Sequence, residues 1–177
     1  MVGSDLTRIS GNRVVCGRAV TAQCAGGSVR AIAAAVNALQ RGDVLCVVGL
    51  GTRACLGDLL ASELVRVGAA GVVVDGYVRD RVRLRELGLG VIARGVTPGA
   101  DHGQGVGRAQ VPVAIGETIV SPGDWIVVDD DGVIAVASDR VSEVLVRGEA
   151  LVARDERILA AIRSGTSLYD AWESQTG

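Results

Sequence analysis

Ala69-Ala70-Gly71-Val72-Val73-Val74-Asp75-Gly76-Tyr77-Val78-Arg79-Asp80 decides how the rest of the chain is read. The apolar run from Ala69 to Val74 has the length and β-branched content of a buried strand. The stretch beyond it, Asp75 to Asp80, ends by setting an arginine beside a carboxylate. Arginine's planar fork suits a substrate carboxylate or a keto-acid oxygen, and an adjacent aspartate suits a hard divalent cation. The same hexapeptide also reads as a turn whose Arg79 and Asp80 form a surface ion pair. These six residues alone leave both readings open.

Upstream, Asp43 to Leu50 opens polar and continues as a buried strand. Gly49-Leu50-Gly51-Thr52-Arg53-Ala54-Cys55-Leu56-Gly57-Asp58-Leu59-Leu60 then runs from a glycine-rich loop into a helix. Leu59, Leu60, Leu64, Val65 and Val67 make a broad apolar face, which puts the backbone amides of Gly57 to Leu60 near a helix N-terminus. Such a terminus attracts anions. Two strand ends, each followed by loop chemistry, are therefore expected to converge on one acidic substrate and one metal.

Periodicity predicts a strand over Arg13–Cys24, a helix over Ser28–Gln40 with Ser28 as N-cap, and a strand over Asp43–Val48. The alternation continues with a helix at Asp58–Val67, a strand at Gly71–Asp75, a short helix at Arg81–Leu87 and a strand at Val91–Arg94. From Gln110 the pattern becomes a β meander of short strands, Val111–Ile115, Thr118–Val120, Trp125–Asp129 and Val133–Ala137, separated by turns. Arg140–Arg163 closes the chain as a long helix, with Gly148 a candidate break and a polar tail beyond Ser164. No repeat or linker divides residues 1–177, so one domain is expected. Mixed strands with segregated helices predict a layered α/β architecture.

The 177 residues are 49% hydrophobic but 2% aromatic, which predicts a core of Val, Leu, Ile and Ala. A net charge of −2 with scattered basic residues leaves no footprint for nucleic acid. No apolar run has membrane-spanning length and the start lacks a signal-peptide pattern, so a cytoplasmic location is expected. Cys16, Cys24, Cys46 and Cys55 have no C-x-x-C pairing and read as buried reduced thiols. Every Lys/Arg position is arginine, which excludes Schiff-base catalysis by a lysine of this chain. The single histidine, His102, lies in the glycine-rich stretch Gly99 to Gly107 and reads as a solvated side chain. Gly49-Leu50-Gly51 with Gly57 does not reproduce G-x-G-x-x-G, and Asp129-Asp130-Asp131-Gly132 lacks EF-hand spacing and reads as a hairpin turn.

Four motifs in order, Gly57-Asp58-Leu59-Leu60, Asp75 to Asp80, Ala93-Arg94-Gly95-Val96-Thr97-Pro98 and Pro122 to Val133, resemble the RraA-like family from about Val14 to about Gly165. That family includes 4-hydroxy-4-methyl-2-oxoglutarate and 4-carboxy-4-hydroxy-2-oxoadipate aldolases, which are divalent-metal pyruvate aldolases with oxaloacetate decarboxylase activity. It also includes RraA, a ribonuclease E inhibitor. The resemblance implies a swivelling β/β/α fold, assembled as trimers or dimers of trimers with active sites between subunits. It implies a small 2-keto acid substrate, Mg²⁺ or Mn²⁺ on Asp80, and Arg79 holding the keto acid. Backbone amides of Gly57, Leu59 and Leu60 would take the carboxylate, and Asp58 would orient a metal-bound water for proton transfer. A further acid is expected from the C-terminal helix of a neighbouring subunit, with Glu149 and Asp155 both candidates.

Two departures accompany the resemblance. About a dozen residues precede Arg13, where family members usually carry a helical segment, so packing at the trimer edge is expected to differ. Aldolases of the family tend to have a lysine in the loop after Thr-Pro, where this chain reads Gly99-Ala100-Asp101-His102-Gly103; either His102 substitutes for it or the substrate differs. The competing function is a non-catalytic RraA-type regulator of a ribonuclease. Loss of the aspartate after the arginine is the mark expected of that branch, and Arg79-Asp80 is intact.

Overall fold

The computed structural model describes residues 5–24, 29–100 and 105–175. The chain divides into two compact units, one up to Ser138 and one from Asp139.

The first unit contains β1 (Thr7–Ser10), β2 (Val15–Cys24), α1 (Val29–Ala38), β3 (Val44–Gly49), β4 (Ala54–Leu56), α2 (Asp58–Val67) and β5 (Gly71–Val78). It continues with α3 (Arg81–Leu87), β6 (Gly90–Val96), β7 (Gly107–Ala109), β8 (Val113–Ile115), β9 (Thr118–Val120), β10 (Trp125–Val128) and β11 (Val133–Val136). The main sheet runs β1-β6-β5-β3-β2-β10-β11, with β4 paired to β5 and β7 to β2. Its centre, β2-β3-β5-β6, is parallel, as crossover helices require.

Both faces of that centre are covered, which explains its near-continuous apolar strands. In β3, Leu45 and Val47 enter the core beneath α1, α2 and α3, where Ile32, Ala35, Ala61, Leu64 and Leu84 are fully buried. The alternate residues Val44, Cys46 and Val48 enter a second core with Val113, Ile115, Val120, Ile126 and Val133. One sheet thus lies between a helical layer and a β layer, the expected β/β/α arrangement.

The expected meander is corrected. β8 and β9 form their own two-stranded sheet, whereas β10 leaves them to pair antiparallel with β2, Trp125 opposite Arg18 and Val128 opposite Val15. Ser121-Pro122-Gly123 permits the switch, since Gly123 takes φ 89°. The Asp129–Gly132 hairpin is as expected: Asp129 Oδ1 accepts from the N–H groups of Asp131 and Gly132 at 2.9 and 3.1 Å. Strands β1, β4 and β7 were not expected. The proposed Ser28 cap lies outside the described residues.

In the second unit a 3₁₀ turn, Ser138–Arg140, leads into α4 (Val141–Arg163), followed by α5 (Leu168–Glu173). Gly148 does not break α4. A mid-helix glycine costs only about 1 kcal/mol, and Glu143 pairs with both Arg140 and Arg147 one turn either side. The tail is helical where Ser167 Oγ caps α5, accepting from Asp170 N–H at 3.1 Å. Within this unit Arg154 lies over the ring of Trp172, 5.2 Å from its centroid. Among the described residues no helix is long and apolar enough to cross a membrane.

Candidate active site

The end of β5 is bent toward its site by a bulge. Pairing of β5 with β6 is regular up to Val74 opposite Ala93 and slips before Tyr77. Gly76, at φ 158°, passes so close to β3 that a Cβ there would lie 3.1 Å from Gly49 O. Beyond the bulge Tyr77 and Val78 pair with β4, and the Arg79 N–H continues the ladder by donating to Leu56 O at 2.9 Å. That register sets Arg79 and Asp80 against Gly57.

Gly57 is the N-cap of α2 and its backbone is extended, φ −138° and ψ −168°, which any residue tolerates. Its lack of a side chain matters instead. A Cβ would lie 2.6 Å from Asp80 Oδ2 and 2.8 Å from Arg79 Nε, so glycine makes the space in which the pair sits. Asp80 Oδ2 accepts from the Asp58 N–H at 3.1 Å and lies 3.3 Å from Arg79 Nε, with the two side chains 36% and 33% exposed. The surface-pair and helix-terminus readings therefore both hold, on one carboxylate oxygen. The pair remains reachable from solvent.

Asp80 occupies the left-handed region, φ 60° and ψ 38°, and caps α3. For a residue with a Cβ this costs about 1 kcal/mol or more. The Leu84 N–H, bonded to Asp80 O at 3.0 Å, helps hold it there.

Asp75 plays a different part. It is buried, ion-paired to Arg94 on β6 and bonded by the Gly116 N–H at 2.7 Å. It ties β5 to the β8–β9 turn and supplies no open ligand. The hydrogen bond to Asp75 holds the Arg94 guanidinium above its ordinary value. Thr97 and Gly99 tie the segment after β6 to β5 and β4: the Thr97 N–H donates to Val78 O at 2.9 Å, and the Ala54 N–H donates to Gly99 O at 2.8 Å.

These elements enclose a cavity of about 190 Å³ lined by Cys55, Leu56, Gly57, Leu60, Arg79 and Ala100, among others. The Leu59 N–H is occupied by Asp58 Oδ1 at 2.8 Å, so the Asp58 side chain must turn away before that amide can receive a carboxylate. Among the described residues no group of three or more His, Cys, Asp or Glu is placed to hold a metal. Asp80 is a lone carboxylate whose two contacts both use Oδ2, which leaves Oδ1 for a ligand. Glu149 and Asp155 are both exposed on α4, and Asp155 pairs with Arg154 at 3.2 Å. His102 lies outside the described residues.

Cys24, Cys46 and Cys55 are buried and free, as expected, but Cys16 is exposed. It stands at an outward position of β2, whose inward neighbours Val15 and Gly17 flank it.

A layered α/β sheet with a parallel centre here carries an Arg-Asp pair, seated on a glycine, at the carboxyl end of its strands, the place where open α/β sheets bind their ligands. The chain belongs to the RraA-like family: the family described as Aldolase/RraA matches residues 2–135. It is 34% identical over 171 residues, 96% of this chain and 81% of the relative, to the Halalkalibacterium halodurans protein named "Putative 4-hydroxy-4-methyl-2-oxoglutarate aldolase". Among solved structures it is similar to Streptomyces coelicolor RraAS2, described as an unusual member of the RNase ES inhibitor RraA protein family. That match has TM-score 0.79 and 34% identity, and covers 88% of this chain and 81% of the other. It is also similar to the RNA-processing inhibitor RraA from Thermus, with TM-score 0.69 and 31% identity over 75% of this chain and 82% of that one. The chain is thus of aldolase or RraA type.

Proposed function

We propose that this chain is a divalent-metal-dependent pyruvate aldolase of the 4-hydroxy-4-methyl-2-oxoglutarate aldolase type, with oxaloacetate decarboxylase activity. The observation that carries this reading is the Arg79–Asp80 pair over Gly57, with Arg79 and Gly57 lining a cavity of about 190 Å³. Asp80 Oδ1 suits a hydrated hard cation, Mg²⁺ or Mn²⁺, which keeps most of its waters and needs only one or two carboxylates. When bound, the cation would supply Lewis acidity to the keto acid.

The chain's own residues do the rest. Arg79 holds the keto acid and offsets negative charge as the C3–C4 bond breaks and its electron pair moves toward the C2 oxygen. Asp80, fixed by the Asp58 N–H, keeps the guanidinium aimed at the cavity. Asp58, its side chain turned away from the Leu59 N–H, orients a water that relays the proton lost from the C4 hydroxyl. In oxaloacetate the same bond releases CO₂, and the enolate is protonated to pyruvate. Gly57 and the amides of Leu59 and Leu60 cap the substrate carboxylate at the start of α2.

The family resemblance extends the proposal to one domain per chain, to a homotrimer or hexamer, and to Glu149 or Asp155 of a neighbouring copy completing the site. A cytoplasmic setting accords with three buried free thiols. The deciding experiment is pyruvate release over a panel of keto acids with and without Mg²⁺. Oxaloacetate turnover abolished by EDTA and restored by Mg²⁺ supports the reading, and metal-independent turnover contradicts it. A second reading, a non-catalytic RraA-type regulator of ribonuclease activity, draws on the equal 34% identity to RraAS2; it gains if no keto acid yields pyruvate.

A further inference from the structure

The guanidinium of Arg53 reaches a wall residue of the Arg79 cavity. Its Nη1 donates to the carbonyl oxygen of Ala100 at 3.0 Å, and Ala100 is a wall of that cavity. Arg53 also borders an adjoining cavity of about 220 Å³, and Cys55 walls both. The backbone around it is pinned, because the Ala54 N–H donates to Gly99 O at 2.8 Å and Ala54 bridges to Ala100. A guanidinium has five N–H donors, and Ala100 O accepts one. Among the described residues no carboxylate forms an ion pair with Arg53.

Among the described residues that line the first cavity, Arg79 is the one charged side chain. It serves the keto-acid end of a substrate, and no other described residue of that lining would offset a second negative charge. We propose that Arg53 is the specificity-determining residue that receives the distal carboxylate of a dicarboxylic 4-hydroxy-2-keto acid, across the boundary between the two cavities. This rests on the pyruvate-aldolase reading. Arginine suits the role because its fork binds a carboxylate through two parallel N–H bonds while a further donor remains on Ala100. In cleavage of 4-hydroxy-2-oxoglutarate, the C4 hydroxyl loses its proton, the C3–C4 bond breaks and glyoxylate departs with the carboxylate that Arg53 holds. The remaining enolate is protonated to pyruvate. Oxaloacetate is one carbon shorter, and its second carboxylate must leave as CO₂, which a bound cation would oppose. Arg53 therefore serves aldol cleavage and not decarboxylation.

The test compares wild type with Arg53→Gln in Mg²⁺. For 4-hydroxy-2-oxoglutarate, kcat/KM should fall about tenfold or more, mostly through KM, while 4-hydroxy-2-oxopentanoate, which lacks the distal carboxylate, should change by less than about twofold. Oxaloacetate decarboxylation should not fall, which shows that the Arg79–Asp80 pair is undisturbed. Arg53→Lys should recover part of the loss. Calorimetry provides an arm independent of turnover: Arg53→Gln should weaken 2-oxoglutarate binding about tenfold and leave pyruvate binding unchanged. Equal losses on both aldols, or unchanged 2-oxoglutarate affinity, would overturn the assignment. If wild type releases pyruvate from no substrate, the aldolase reading fails, and the two affinities still decide what Arg53 does.

Discussion

Asp80 Oδ2 accepts a hydrogen bond from the backbone N–H of Asp58 at 3.1 Å, joining the start of α2 to the start of α3. A helix N-terminus favours a carboxylate, so α2 holds Asp80 in a left-handed conformation that its own backbone disfavours. The consequence is a carboxylate whose Oδ2 is committed to the Asp58 N–H and to Arg79 while Oδ1 is left for a ligand.

Gly57→Ala tests whether the space under this pair matters. The extended backbone at Gly57 accepts alanine, and the atoms it would strike are Asp80 Oδ2 and the Nε and Cγ of Arg79, so stability should fall by about 1–3 kcal/mol, the ordinary range of overpacking. Displacement of Arg79 and Asp80 should also lower kcat/KM for oxaloacetate at least about tenfold, since misplacement by about 1 Å is costly in catalysis. Unfolding curves and steady-state kinetics on the same preparation check both.

Arg79→Lys keeps the positive charge and loses the planar fork. Pyruvate release should drop by about two orders of magnitude, as when a single transition-state donor is removed, with Tm within a few degrees of wild type. Near-normal kcat/KM would show that Arg79 only pairs with Asp80.

Burial pushes the thiols of Cys46 and Cys55 up from 9.0 to about 12 and that of Cys24 to about 11. A thiol whose pKa is raised by folding keeps its proton in the folded state after the unfolded chain has lost it. Its contribution is full below about pH 9 and is lost from there toward pH 11–12, at about 1.4 kcal/mol per pH unit for each such thiol. Denaturation midpoints should therefore fall on the alkaline side. At pH 8 iodoacetamide should label Cys16 alone in the native protein and all four cysteines in denaturant, as read by mass spectrometry.

Much of this fold is legible in the sequence because β3, β5 and β6 are buried on both faces, so their apolar runs stand out against the amphipathic helices between them. Asp58–Val67 and Arg81–Leu87 match the observed helices for that reason. Ala54-Cys55-Leu56 and Gly107-Arg108-Ala109 are too short for any periodicity to register, and their pairing partners are supplied by distant strands. The β10–β2 pairing is likewise a long-range choice that local turn signals cannot express. At the site, the Arg79-Asp80 dipeptide was visible, whereas the structural work of Asp75 and the position of Arg53 depend on Arg94, Gly116 and Ala100 being brought across from other elements.

The central claim is that Asp80 holds the cation on which pyruvate chemistry depends, and metal titration by calorimetry alongside pyruvate release tests it most directly. Asp80→Asn keeps the size of the side chain and removes its charge; Mg²⁺ or Mn²⁺ affinity and oxaloacetate turnover should both collapse. Asp58→Asn should retain most of the metal affinity while lowering turnover, because its carboxylate orients a proton relay and does not hold the ion. Asp80→Asn binding Mg²⁺ or Mn²⁺ as tightly as wild type would place the metal elsewhere and favour the regulator reading.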